Sequence, residues 1–597
     1  MGGLVADRLA RGDLVDGEWE LVGPLLSVGG ARPLSGGLRE PFDGVVCFQA
    51  LLKAMIAEAG AWELMDVNRV SVDSTVARAH QDVAGMVVDP ELLPVLEEAR
   101  TVAARSPTTP PVQHRFEPDL PVSTGGLLIT VDGINLSSSD IAALAYGEAS
   151  VRLADEARSR AARSFEHAVQ ISTERMVYGR STGVGANRDI AIDDANAHAL
   201  ALLRSHATSA GPLRSPERVR AMLAVRLNQL AAGGSGAAPD LLDGLVVMLS
   251  ANALPPVREV GSIGTGDLPA LAVTILALLG EVPTSTALLA PVACGPKDAM
   301  PVINSNAAAI ADAALAHASL ASLSRSAITV AALTFAAVDG NPEAFAEVVE
   351  QVTPFSGARE VCRSMRRLIS PVTAPTRIQD PLGLRTMPQV HGAFIDALSR
   401  LDDVVCRMAN APSENPALLP GHGVAHHGGF HAVYLAQALD ATVSAAAQSA
   451  QLAMARVSML TEPAFTGLAP FLGAGAAGAS GVMACEYVAA SALGSLRALA
   501  MPTAVQSVTL SRGVEEDASF ASHGARQAWT AADDYRTVLA CELVAAVRAL
   551  RLRGARLDDL FDDLTLEMAD RDLTADIAAA ARLLPKLADI PQGTRIA

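Results

Sequence analysis

Two stretches of this chain combine reactive side chains with unusual backbone freedom. In MVYGRSTGVGANRD (176–189) a tyrosine, Tyr178, stands beside a glycine-rich turn. In GSIGTGDLPALA (261–272) small residues and one acid lead straight into an apolar run. A glycine-rich loop ahead of a helix commonly cradles phosphate, using backbone N–H groups and the positive helix end. Neither GxxxxGK[ST] nor a GxGxxG after a strand is present here. Asp267 at the helix entry would repel an anion and is better suited to capping. The loop must serve another purpose. A lone tyrosine beside glycine reads as a packing anchor with a bonded hydroxyl, and His206 and Glu516, each taken alone, read as a structural histidine and a solvated acid. The six cysteines (47, 294, 362, 406, 485, 541) are scattered with no CxxC pair, which predicts reduced thiols in a cytoplasmic protein and no metal site.

Further segments follow in order: LLRSHATSAGP (202–212), PVINSN (301–306), QDPLGLRTMPQVHG (379–392), SENPAL (413–418), HHGGFHAVYLA (426–436) and SRGVEEDASFASHG (511–524). With the two stretches above, this ordered set resembles the histidine and aromatic amino acid ammonia-lyases over residues 123–560. The resemblance implies a mainly α, fumarase/aspartase-like fold with a long central helical bundle and a small α/β N-terminal part. It also implies an electrophile made from the chain itself. Members of that family cyclise an Ala-Ser-Gly tripeptide lying just before Asp-Leu. The glycine nitrogen attacks the alanine carbonyl, and loss of water turns serine into an exocyclic methylidene. The product, methylidene-imidazolone (MIO), takes up the substrate so that ammonia can leave.

At that place the chain departs from the pattern. The tripeptide is Gly264-Thr265-Gly266, in a loop one residue shorter than the family's GSVGASGDL. Two glycines still permit a tight backbone approach. A dehydrated threonine, however, would carry a methyl group on the carbon to be attacked, and a shorter loop displaces the nitrogen from its target. Both changes weigh against ring formation. Leu382 in QDPLGLR replaces a family tyrosine and cannot donate a hydrogen bond. Other positions match. By resemblance Tyr178 is the base that removes the β-proton, with a depressed pKa. Arg385 is the fork for the substrate carboxylate, Asn304 an active-site amide, Phe430 a pocket ring, and His206 with Glu516 an imidazole-recognising pair. The nearest activity is that of histidine ammonia-lyase, converting L-histidine to trans-urocanate and ammonia. Two alternatives stand beside it. One is an enzyme without MIO that uses the same pocket, with Tyr178 as acid/base in an elimination, isomerisation or cyclisation. The other is a non-catalytic helical scaffold.

The elements that must position these residues follow from composition. Of 597 residues half are hydrophobic and only 4% aromatic, and mean hydropathy is +0.29. The apolar content is Ala, Leu and Val, which favours closely packed helices. Long helices are expected at 305–338, 388–411, 431–460, 480–500 and 524–552, and one helical stretch up to about 175 after a short strand. The net charge of −18 argues against a nucleic-acid-binding surface. Asp7, Arg8 and Arg11 break the first apolar run, so no secretory signal is expected. The uncharged stretch from Pro463 to Cys485 holds prolines and glycines and reads as a loop feeding a buried helix, not a membrane span. The expected partners are a small amino acid or other carboxylate and, from the apolar helix faces and the family's architecture, three further copies in a D2 homotetramer whose pockets each draw on three chains.

Residues 11–26 and 70–85 resemble pieces of DDE-type insertion-sequence transposases, with Asp73 at the place of their first catalytic aspartate. No partner carboxylate motif follows, so 1–88 reads as an inactive fusion remnant. Residues 89–122 read as a Pro-rich linker, 123–300 as an N-terminal lyase domain with the loop, and 301–597 as the bundle and C-terminal helices. Residues 1–122 are expected to play no part in catalysis.

Overall fold

The computed structural model describes residues 127–286, 299–370, 375–557 and 559–590. Backbone contacts divide the chain into two units, Met1–Glu117 and Pro118–Ala597. The transposase-like segment with Asp73, and the Pro-rich stretch after it, lie outside the described residues.

The described part opens with β1 (Leu127–Val131) and the helix α1 (Ser138–Ala145). Ser137 starts α1 because its hydroxyl accepts the Asp140 N–H at 3.1 Å while Asp140 accepts the Ser137 N–H at 3.0 Å. That reciprocal pair satisfies two donors that a helix start leaves open. Here the structure corrects the expected single helical stretch. Gly147, at φ +75°, turns the chain, and ASVRL forms β2 (Ala149–Leu153), which pairs in parallel with β1 from Leu127↔Ala149 to Val131↔Leu153. Helical order resumes in α2 (Asp155–Glu174) and α3 (Ala195–His206). A short antiparallel pair, β3 (Ala210–Leu213) with β4 (Arg258–Val260), flanks α4 (Pro216–Ala231) and leads into the loop before α5 (Leu268–Leu278).

The rest is a bundle: α6 (Ala307–Ala337), α7 (Met387–Ala409), α8 (Val433–Thr461), α9 (Met483–Leu499), α10 (Ala521–Leu552) and α11 (Thr574–Ala588). The first five agree with the expected helices to within a few residues, and α11 was not among those expected. α10 packs on α6, α8 and α9, with alanines at the contacts letting the backbones approach closely. The stretch Ala299–Ala337 is long and apolar enough to cross a membrane, but 78% of its most apolar window is buried inside the protein.

The core is not purely apolar. Arg456 forks onto Glu542 at 2.6 and 2.8 Å, and Thr334 donates to the same carboxylate at 2.8 Å. Nearby, His391 places Nδ1 2.7 Å from Ser449 Oγ and Nε2 2.9 Å from the Ser324 carbonyl, while Ser449 also meets the Tyr535 hydroxyl at 2.8 Å. Burial pushes the His391 pKa from 6.5 down to about 4, with the Ser324 carbonyl opposing that shift and Arg456 adding to it. The folded protein therefore holds this ring neutral. Below pH 6.5 the unfolded chain takes up a proton that the folded chain refuses, so stability falls between about pH 6.5 and pH 4 and not above. This site contributes roughly 3 kcal/mol to that loss. Denaturation midpoints measured from pH 7 to 4.5 are expected to fall more steeply for the wild type than for His391→Gln, and equal slopes would refute the assignment.

Candidate active site

The loop 261–267 sits where several chain segments begin their helices. Gly264 and Gly266 hold φ of +88° and +123°, a region that L side chains rarely adopt. Space is equally restrictive. A Cβ on residue 264 would stand 2.1 Å from Ser519 Oγ and 2.8 Å from the Ala521 nitrogen, and one on residue 266 would stand 2.5 Å from Leu268 Cδ1. Both positions require glycine. The Gly264 carbonyl accepts the Ser519 hydroxyl at 2.8 Å and the Ala432 N–H at 3.4 Å. Ala432 immediately precedes α8, and Phe520 precedes α10, so this oxygen lies at the amino ends of two long helices. The Gly266 N–H donates to Asn306 Oδ1 at 3.1 Å, and the Asn306 amide donates to the Phe430 carbonyl.

Asp267 is fully buried. Sequence reasoning expected it to cap the helix it precedes. Its side chain makes no such bond and instead accepts the Ala309 N–H at 2.8 Å, capping the first turn of α6. Burial raises its carboxyl pKa, with the Ala309 N–H and the nearby Arg214 charge pulling the other way.

Above the loop opens a cavity of about 1240 Å³, more than one amino acid needs. Tyr178, His206, Thr265, Gly266, Asn304, Phe430 and Glu516 all line it, although they come from six separate parts of the chain. Gly264 lies buried just behind. Tyr178 is held by its hydroxyl, which accepts the Gly185 N–H at 2.9 Å, and by its backbone N–H, which donates to His426 Nε2 at 3.2 Å. The tight turn after it needs Gly179, because a Cβ there would stand 2.4 Å from the Met300 side chain. His206 sets Nδ1 3.0 Å from the Leu202 carbonyl; since that oxygen can only accept, Nδ1 carries the proton in the neutral ring and Nε2 is the acceptor. Asn304 is buried and donates to the Asn415 carbonyl at 2.9 Å.

Two sequence expectations need restatement. The Tyr178 pKa is raised, not depressed: burial disfavours the phenolate and Glu515 adds repulsion, against lowering by the Gly185 N–H and Arg188. The phenol is not ionised in advance. Arg385 does not line the cavity of its own chain. It ends the short helix Leu382–Arg385 and donates to Gln379, and Leu382 beside it is 56% exposed.

Sequence reasoning passed over several lining residues inside motifs it had singled out. His431 lies 3.4 Å from Asp517, and Arg188, Asp189, His426 and Glu515 also face the cavity. Acids at 189, 515, 516 and 517 outnumber the single arginine there, which makes the site receptive to a cation. Below the cavity, Arg226 meets Glu414 at 2.7 Å with both side chains buried. Arg226 also donates to the Val302 carbonyl at 2.9 Å and to Pro301, tying SENPAL to the segment that carries Asn304. Glu414 lies in the SENPAL motif but Arg226 in none, and the partners of Arg226 lie 75 to 188 residues away.

The loop fits a ring made from residues 264–266. Its flanks accept only glycine, the carbonyl to be attacked is hydrogen-bonded twice, and Thr265 faces the cavity. Residues 136–571 match the model of the aromatic amino acid lyases. Histidine ammonia-lyase of Sorangium cellulosum is 33% identical over 498 residues, covering 76% of this chain and 96% of that protein. The enzyme of the same name from Geobacillus thermodenitrificans is 33% identical over 451 residues, covering 72% and 89%. Among solved structures, histidine ammonia-lyase from Trypanosoma cruzi superposes with a TM-score of 0.71 at 25% identity, over 77% of this chain and 94% of that one. The ergothioneine-degrading enzyme of Treponema denticola gives a TM-score of 0.73 at 24% identity, over 78% and 100%, and shares the fold. The chain belongs to the aromatic amino acid lyase family and is a carbon–nitrogen lyase whose resemblance runs to the histidine ammonia-lyases.

Proposed function

We propose that the protein eliminates ammonia from a small α-amino acid with an imidazole or cationic side chain, L-histidine first among them, to give trans-urocanate. The observation that carries this reading is the gathering of Tyr178, His206, Asn304, Phe430 and Glu516 around Thr265 on one acid-rich cavity. The two N–H groups of a protonated substrate imidazole would donate to His206 Nε2 and to the Glu516 carboxylate. Tyr178 takes the β-proton. Its phenol is held above the ordinary value in the empty site, and a bound ammonium lowers it by favouring the phenolate. That coupling makes a cationic substrate part of its own activation. Asn304, fixed by Asn415, orients the amino group toward Thr265. A ring formed from Gly264-Thr265-Gly266 would supply the electrophile that draws electrons from that amino group.

The carboxylate clamp requires a second chain. Arg385 lies away from the cavity of its own chain, and Tyr434 on α8 and Tyr487 on α9 are 68% and 70% exposed. We therefore place Arg385 at the pocket of a neighbouring copy in a cytoplasmic homotetramer. A monomeric mass by light scattering at micromolar concentration would refute this arrangement. The activity itself is read by urocanate absorbance with L-histidine, alongside the intact mass of the purified chain. Turnover with a mass lower by two waters is the expected result. The methyl of Thr265 and the loss of a tyrosine at Leu382 favour a second reading, elimination without MIO by the same Tyr178; turnover at unmodified mass would select it.

A further inference from the structure

We infer that Ser519 is a positioning residue for cyclisation of the Gly264–Thr265–Gly266 backbone, acting as the donor that activates the Gly264 carbonyl. The inference rests on the reading above that this tripeptide closes into a ring. Closure forms a bond between the Gly266 nitrogen and the Gly264 carbonyl carbon, and negative charge develops on the Gly264 oxygen. That oxygen then leaves as water with the amide protons of Gly266 and Thr265, leaving Thr265 N double-bonded to the ring carbon. A second water takes the Thr265 hydroxyl and its Cα proton. No oxidant or co-reactant is needed.

An amide carbonyl is a poor electrophile, so the rate depends on what stabilises its oxygen. Ser519 is 2% exposed and donates to that oxygen at 2.8 Å. Its own Oγ accepts the Ala521 N–H at 3.3 Å, which keeps the hydroxyl proton directed at Gly264. The Ala432 N–H is a longer second donor, at 3.4 Å. Both donors stand at helix amino ends, where developing negative charge is favoured. On the other side of the ring to be formed, Asn306 Oδ1 holds the N–H of the attacking nitrogen at 3.1 Å.

Glycine at 264 and serine at 519 form one unit. The hydroxyl lies 2.1 Å from where a Cβ on residue 264 would be. The family's alanine and this serine therefore exclude each other in the observed geometry. Replacing alanine by glycine makes room for a side-chain donor, which offsets the handicap of a shorter loop and a bulkier threonine.

The test follows the intact mass of the full chain with time after cell-free synthesis. The wild type is expected to lose two waters. Ser519→Ala should lose them on the order of 10²-fold more slowly, the effect of removing one such donor. Ser519→Cys, which keeps the side-chain volume but donates weakly, should be similarly slow while giving the wild-type circular dichroism spectrum, and it decides the matter if the alanine variant does not fold. Ser519→Thr, which keeps the hydroxyl, should approach the wild-type rate. Wild-type rates in Ser519→Ala or Ser519→Cys overturn the inference and leave the ring intact. A wild-type chain that never loses water overturns the ring and the role of Ser519 together.

Discussion

Tyr178→Phe is expected to lower kcat roughly 10²- to 10⁴-fold, the range for removing a positioned general base. The phenyl ring keeps the shape of the side chain and the backbone bond to His426 is untouched, so the fold and substrate affinity should survive. The wild-type pH profile carries the same signature. Burial and Glu515 place the phenol above its ordinary value of 10, so the phenolate fraction of the free enzyme grows with each unit of pH across the neutral and mildly alkaline range. Accordingly, kcat/KM should rise through that range without reaching a plateau before pH 10, and the residual rate of Tyr178→Phe should lack that rise. A Tyr178→Phe enzyme with near wild-type kcat, or one keeping the same pH profile, would remove tyrosine from the mechanism.

The largest effect on stability is expected from the ion pair under the cavity. Burial pulls Arg226 and Glu414 each toward its neutral form, while the charge of each partner opposes this; at 2.7 Å each supplies the other's counter-charge. Arg226→Met leaves Glu414 buried without a counter-charge and leaves the Val302 and Pro301 carbonyls without their donor. The expected cost is about 3–5 kcal/mol. Thermal denaturation should show it as a fall in Tm, and adding Glu414→Gln to Arg226→Met should recover part of the loss. Because the pair fixes the segment before Asn304, KM should rise in the same variant. A Tm unchanged by Arg226→Met would mean that the pair does not hold the cavity floor.

The bundle was legible in the sequence because long Ala/Leu runs have few other ways to bury themselves; α6, α7, α8 and α10 begin and end close to where their periodicity predicts. The strand β2 was not legible. ASVRL has five residues, and its pairing with β1 depends on a turn at Gly147 that helical periodicity does not register. The site was legible as a set of motifs, seven of whose residues meet on one cavity. What no motif carried was the state of the groups. The raised pKa of Tyr178 comes from burial by distant elements, and Asp267 caps α6 instead of α5 because residues 267 and 309 meet only after folding. Ser519 lies 255 residues from its partner, and nothing local in SRGVEEDASF marks it as different from any loop serine.

The loop at 264–267 is held by Asn306, Ala432 and Ser519, at the starts of three long helices spread over most of the bundle's length. Contacts of such sequence separation form late, since each requires a long chain segment to be closed first. A chain emerging from the ribosome cannot give the Gly264 carbonyl its closer donor, Ser519, until residue 519 has been made and α10 has docked. Backbone closure in this protein would therefore act as a built-in record of completed folding: a molecule that carries the ring has, at least once, had its whole helical core assembled.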